Sequence, residues 1–295
     1  MALSDLLTTA IRPEPGPKPR DDELDLFGVT HPGKVRAQNQ DHFLVCTVHQ
    51  QVVVHGTSLP EADTLPLRSQ RLATLMLVAD GVGGGWGGQE ASQLAVETIT
   101  GYVASTMRSF HSAGRQNEHE FFEALKAAAH EAHDAVRGKS GNGSSGNSMA
   151  TTLTLALFVW PRMYVLQVGD SRCYYYVDGQ LRQVTRDQTV AQALVDRGVI
   201  PAAEAAESPY RNVLASSIGG GQSTPEVTQI ELVRSGGPVA VLCSDGLTRH
   251  VSDDEIARTI RSMRSSEQAC RSLLDLALER GGTDNITVLV ARLRD

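Results

Sequence analysis

Apolar residues run nearly unbroken through 72–79, and strand-like runs also occupy 24–30 and 42–54. Short apolar runs of this kind predict β-strands. The period then changes. Ala91, Leu94, Ala95, Thr98, Ile99 and Tyr102 recur at helical spacing, as do Phe121, Phe122, Leu125, Ala128, Ala129 and Ala132, and each set predicts a helix. The run Ser-Gly-Asn-Gly-Ser-Ser-Gly-Asn at 140–147 reads as a flexible loop. Runs rich in β-branched and aromatic residues follow at 150–159, 162–168 and 172–177, and Asp178-Gly179 marks a hairpin turn before a strand at 181–185. A mixed helical region covers 188–218. Strands are expected at 226–233 and 238–243, helices near 253–263 and 266–280, and a final strand at 286–293. Strands grouped into runs with helices between them argue for an α+β fold, in which two antiparallel sheets pack together with helices outside.

The first 23 residues differ in texture. Pro13, Pro15, Pro17 and Pro19 alternate ahead of Asp21, Asp22 and Glu23, which predicts an extended or disordered arm at 1–23 and one globular domain over 24–295. No internal repeat is visible. The 295 residues are 41% hydrophobic and 21% charged, enough apolar material for a sizeable core. A net charge of -7 and the absence of a Lys/Arg run speak against nucleic-acid or membrane-surface binding. The N-terminus does not resemble a signal peptide, and no segment approaches the roughly 18 apolar residues of a membrane helix. Cys46, Cys173, Cys243 and Cys270 are scattered without metal or disulfide spacing, as expected in a reducing compartment. The expected location is cytoplasmic.

The chemistry lies in aspartates that close or open apolar runs, mostly with glycine or asparagine beside them. They are Asp41 after Asn39-Gln40, Asp80 before Gly81, Asp170 after Gly169, Asp245 before Gly246, and Asp284 before Asn285. An Asp-Gly pair alone is an ordinary turn, and Asp178-Gly179 is read that way. Several such carboxylates at strand ends instead make a site whose charge cations must neutralise. Oxygen-only ligation selects Mg²⁺ or Mn²⁺ over Zn²⁺. Gly81, lacking a side chain, leaves its carbonyl free to join the shell.

In order, these motifs resemble those of the PPM (PP2C-type) metal-dependent Ser/Thr protein phosphatases, bacterial type. Arg36-Ala37-Gln38-Asn39-Gln40-Asp41-His42-Phe43 resembles the family's opening motif. Ala79-Asp80-Gly81-Val82-Gly83-Gly84, Glu90-Ala91-Ser92, Ala150-Thr151-Thr152-Leu153, Gly169-Asp170-Ser171-Arg172, Ser244-Asp245-Gly246-Leu247 and Asp284-Asn285-Ile286-Thr287 resemble the motifs that follow. The segment from Leu194 to Gly219, around Arg211-Asn212-Val213-Leu214, is similar to the family's flap. The resemblance spans roughly residues 24–293. It implies a four-layer αββα sandwich and hydrolysis of phosphoserine and phosphothreonine on proteins by water shared between two Mn²⁺ or Mg²⁺ ions, possible partners including a Ser/Thr kinase or its substrates. It also implies that Asp80 bridges the metals, that the Gly81 carbonyl, Asp245 and Asp284 complete their shells, and that Asp41 acts directly or through water. Asp170 with Asp245 would serve a third metal. Arg36 would hold the substrate phosphate, with Asn285 in support. A weakly active phosphoprotein-binding relative and a small-molecule phosphomonoesterase are the alternatives.

Three positions depart from the family pattern. Val82 and Gly85 stand where histidines serve in other members, so a metal-bound water is expected to be the general acid. Gln40 replaces a frequent glutamate and removes one negative charge. The glycine-rich stretch 81–88 lacks the Lys-Ser/Thr of a phosphate-binding loop and is expected to be a turn beside the metals. Trp86 is left open between a substrate-facing and a packing role. His130 and His133 do not form a metal-binding helix pair and are expected on a solvated face.

Overall fold

The computed structural model describes residues 15–49, 71–82, 86–113, 118–140 and 149–294. Its strands are β1 (Leu24–His31), β2 (Asp41–His49), β3 (Arg71–Val82), β4 (Ala150–Thr151), β5 (Leu153–Val159), β6 (Arg162–Val168), β7 (Arg172–Val177), β8 (Gln180–Gln183), β9 (Glu226–Glu231), β10 (Val239–Cys243) and β11 (Ile286–Leu293). Its helices are α1 (Trp86–Ala113), α2 (Glu118–Lys139), α3 (Val190–Asp196), α4 (Ala202–Ala205), α5 (Asp245–Thr248), α6 (Asp253–Ser262) and α7 (Ser266–Glu279).

One sheet has the order β1-β11-β10-β7-β8. The other runs β2-β3-β5-β6-β9, with β4 paired to β3, and every pairing is antiparallel. Alternation along each strand sorts its side chains between two layers. On β3, Leu75 and Leu77 face α1 and α2 with Ala91, Ile99, Phe121 and Leu125. Met76 and Val78 point the other way and meet Leu242 and Leu289 of the opposite sheet. A third cluster joins Val241, Val288 and Val290 to Ile256 of α6 and Leu273 of α7. Both faces of both sheets are therefore covered, which explains why 72–79 is apolar without alternation. The expected α+β sandwich, with its four αββα layers, is the observed one.

Departures from the sequence reading are local. The run 150–159 is broken at Thr152, whose N–H donates to Asp80 O at 2.9 Å. The region 188–218 holds only the short α3 and α4 among turns, tied to the body through the bridge of Thr151 with Ile218 and closed on itself by the bridge of Thr189 with Leu214. The turn at Asp178-Gly179 forms as expected, both residues having positive φ, 51° and 80°. All four cysteines are free. Residues 1–14 of the expected arm, 50–54 of the predicted strand 42–54, 83–85 of the glycine-rich stretch and 141–147 of the loop lie outside the described residues. No helix among the described residues is long and apolar enough to cross a membrane.

Residues 15–23 lie against the sandwich at the pole away from Asp80. Arg71, 6% exposed, donates to Asp21 Oδ1 at 2.6 Å and to the Pro19 carbonyl at 2.5 Å, and Trp160 Nε1 donates to the Gly16 carbonyl at 3.1 Å. His133 corrects the expectation of a solvated face. It is 8% exposed, and its Nδ1 accepts the Gly219 N–H at 3.0 Å, docking the end of the 188–218 region on α2.

Because Leu77 is fully buried between β3 and the helices, Leu77→Ala is expected to lower the unfolding free energy by about 2–5 kcal/mol. Urea denaturation measures this, and a smaller loss would mean that the helix layer closes over the gap.

Candidate metal centre

The two sheets bring five aspartates to one pole. Asp41 opens β2 and sits directly opposite Asp80 of β3 in the antiparallel register. Asp80 is not the end of its strand, as the sequence suggested. It lies two residues before Val82, and its N–H donates to Thr152 Oγ1 at 3.0 Å while its carbonyl accepts from Thr151 Oγ1 at 2.8 Å. The break between β4 and β5 thus serves to fix Asp80. Asp170 follows β6 through Gly169, whose φ of 106° suits only glycine and whose missing Cβ leaves room for Thr152.

Asp245 begins α5, an element the sequence reading did not foresee. Asp284 and Asn285 precede β11. Asn285 is 5% exposed and acts as a clamp, donating to the carbonyls of Pro32 at 3.0 Å and Gln38 at 2.9 Å and accepting from Gln40 N at 2.9 Å. It thereby holds the loop that carries Arg36 and Gln40.

The Asp41 carboxylate is 3% exposed. Its Oδ2 accepts from Ser244 Oγ and Thr287 Oγ1, both at 2.7 Å, while its Oδ1 is buried without a partner. Asp245 Oδ1 is likewise buried and unpartnered. Leaving carboxylate oxygens dry and unmet is costly unless a cation takes them. Gly81 is packed so closely that a Cβ would stand 2.4 Å from the Gly88 carbonyl and 2.8 Å from that of Gln40. Only glycine fits there.

Arg36 makes a two-pronged ion pair with Asp284, Nε to Oδ1 and Nη2 to Oδ2, each at 2.8 Å. Arg249, which the sequence reading missed, donates to Asp284 Oδ2 at 2.8 Å and to Asp245 Oδ2. Its signal was its place four residues after Asp245, one helical turn on. Among the described residues, no three His, Cys, Asp or Glu side chains stand as a finished metal-holding group. The guanidinium groups engage Asp245 and Asp284 instead. The donor set nonetheless fits hard divalent cations: it is all oxygen, strongly acidic, and has two empty buried acceptors. Val82, at the position of the missing histidine, is exposed.

Burial raises the Asp80 carboxyl well above its usual range, and the charges of Asp41, Asp245, Asp170 and Asp284 add to the effect. Burial pushes Asp41 up to about 6 against the opposing hydrogen bonds from Thr287 and Ser244. Asp170 is pushed up to about 8 by burial and by Asp245 and Asp187. Asp245 is raised by burial too, with Arg249 opposing.

The folded protein therefore keeps protons that the unfolded chain releases near the ordinary carboxylate value of about 4. The stability these groups contribute is fully present below that value. It is lost as pH rises through about 6 for Asp41 and about 8 for Asp170. With chelator present, the melting temperature is expected to fall from pH 5 to pH 9, and Asp170→Asn should flatten the upper part of that fall. A melting temperature that rises over this range would contradict the assignment.

A groove of about 650 Å³ adjoins the cluster and is lined by Asp170, Asp187, Arg211, Asp245, Arg249 and His250. Arg211 places the flap-like segment at its wall.

The protein phosphatase 2C family profile matches residues 56–280. The serine/threonine protein phosphatase PstP of Mycobacterium tuberculosis is 35% identical over 223 residues, which are 76% of this chain and 41% of that protein, so the chain spans less than half the length of this relative. A crystal structure of the M. tuberculosis phosphatase PstP/Ppp superposes with a TM-score of 0.70 at 30% identity, covering 92% of this chain and 99% of that one. A structure of the PstP catalytic domain in complex with two manganese ions gives a TM-score of 0.66 at 29% identity, covering 92% and 99%. The order of the strands, the five aspartates at one pole and these matches lead to one conclusion: the chain belongs to the protein phosphatase 2C family.

Proposed function

We propose that this protein hydrolyses phosphoserine and phosphothreonine on proteins with the help of Mn²⁺ or Mg²⁺. The observation that carries the reading is the pair of buried, unpartnered oxygens on Asp41 and Asp245 inside a cluster of five carboxylates. The PstP catalytic domain, solved with two manganese ions, supports it. Asp80, Asp245, Asp284 and the Gly81 carbonyl would hold two ions, with Asp41 acting directly or through water and Asp170 available for a third. Such ions, when bound, make water a nucleophile at neutral pH and offset the charge of the phosphate.

The remaining work falls to the chain itself. The Asp41–Asp80 pairing across β2 and β3 fixes two carboxylates on rigid backbone. Ser244 and Thr287 orient Asp41 by donating to one oxygen, which leaves the other free. Arg36, with its side chain 55% exposed, lies on the Asn285-clamped loop. From there it can exchange the Asp284 carboxylate for the phosphate oxygens, both suited to a planar fork. Position 82 offers no acid, so the leaving serine or threonine oxygen takes its proton from water.

The groove beside Asp170 and Asp245 suits a phosphorylated protein segment, so phosphorylated proteins, including a Ser/Thr kinase or its substrates, are the proposed partners. A smaller cavity of about 60 Å³ at the opposite pole is lined by apolar side chains with Lys18, Arg71 and Arg292 and by no carboxylate. It has no carboxylate to hold a metal ion.

Hydrolysis of p-nitrophenyl phosphate and of a phosphothreonine peptide is expected with Mn²⁺ and not with chelator. Asp80→Asn should lower turnover by at least roughly a hundredfold. Arg36→Ala should raise the Michaelis constant for the peptide, with a smaller change in kcat. No turnover by the wild type on either substrate with either metal would reject the enzyme reading and leave a phosphoprotein-binding role.

A further inference from the structure

Arg249 holds one oxygen each of Asp245 and Asp284, beside the unpartnered Asp245 Oδ1 of the proposed centre. It caps the C-terminal end of α5, and its own N–H donates to the Asp245 carbonyl at 2.9 Å. One helical turn separates the two residues, so local backbone geometry returns the side chain to the Asp245 carboxylate. The same guanidinium reaches Asp284 Oδ2 at 2.8 Å. It therefore joins two aspartates that come from different strand ends and would otherwise repel each other. Arg36 also holds Asp284, but from a loop and with a side chain 55% exposed, against 31% for Arg249. Arg249 is the more firmly placed of the two, and it alone contacts Asp245 among the described residues' ion pairs.

A guanidinium and a divalent cation both relieve the repulsion between these carboxylates, and two positive groups drawn to the same pair repel each other. Whatever stabilisation Arg249 gives the metal-free protein is subtracted from the free energy of metal binding. Resting on the metal reading above, we propose that Arg249 is a built-in competitor for the divalent cation at Asp245 and Asp284. It raises the metal concentration at which that site loads and turns into the adjoining groove, whose wall it already forms, once metal takes the carboxylates.

The test is calorimetric titration of Mn²⁺ into the full chain for wild type, Arg249→Gln and Arg249→Lys, with melting curves in chelator and in saturating Mn²⁺. Arg249→Gln is expected to bind Mn²⁺ about tenfold more tightly than wild type. It should also melt lower in chelator and close to wild type in saturating Mn²⁺. Arg249→Lys, which keeps the charge without the fork, should fall between the two, and it carries the comparison if the glutamine variant does not fold without metal. A variant that binds no tighter, or that melts lower by the same margin in both conditions, would overturn the proposal and make Arg249 a plain structural ion pair. A wild type that takes up no Mn²⁺ would overturn the metal reading and this proposal with it.

Discussion

Mutual repulsion among five carboxylates at one pole of the sandwich is the constraint on which the rest of the structure depends. Asp41, Asp80, Asp170 and Asp245 all have carboxyls raised by burial, and the neighbouring negative charges act in the same direction. A site of this kind cannot be held by flexible loops, because the charges would push it apart. Each aspartate is instead fixed at or beside a strand that is hydrogen-bonded into a sheet covered on both faces.

Small polar residues link the core to the site. Thr152 interrupts what would otherwise be a single strand in order to bind Asp80, and its hydroxyl shares a 2.8 Å hydrogen bond with Ser171, next to Asp170. Ser244 and Thr287 reach from β10 and β11 across to Asp41 on the other sheet. Asn285 fastens the loop of Arg36 and Gln40. The Ser244 and Thr287 contacts cross between the two sheets, so the place of Asp41 among the carboxylates depends on how the sheets pack.

Much of this was legible in the sequence, for a physical reason. Asp41, Asp80, Asp170, Asp245 and Asp284 lie next to apolar runs, and a strand brings the residues at or near its end to the pole of the sheet whatever its partners are. The two-sheet architecture followed from grouped strands and two long amphipathic helices. What could not be read depends on contacts between distant positions. The break at Thr152 exists because of Asp80, 72 residues away. His133 is buried because Gly219 docks on it, 86 residues later. The 188–218 region contains helix-forming residues but is held by an isolated bridge from Ile218 to Thr151 and by an internal one between Thr189 and Leu214, and only two short helices form. Arg249 was the exception, since its spacing from Asp245 was local and readable.

The most direct test of the account is a crystal of the protein grown or soaked with Mn²⁺, with anomalous scattering measured at the manganese edge. Two strong anomalous peaks are expected within the cluster of Asp41, Asp80, Asp245 and Asp284, with the Arg249 guanidinium moved away from Asp245 and Asp284. A well-ordered crystal in saturating Mn²⁺ with no anomalous peak at Asp80 would contradict the account.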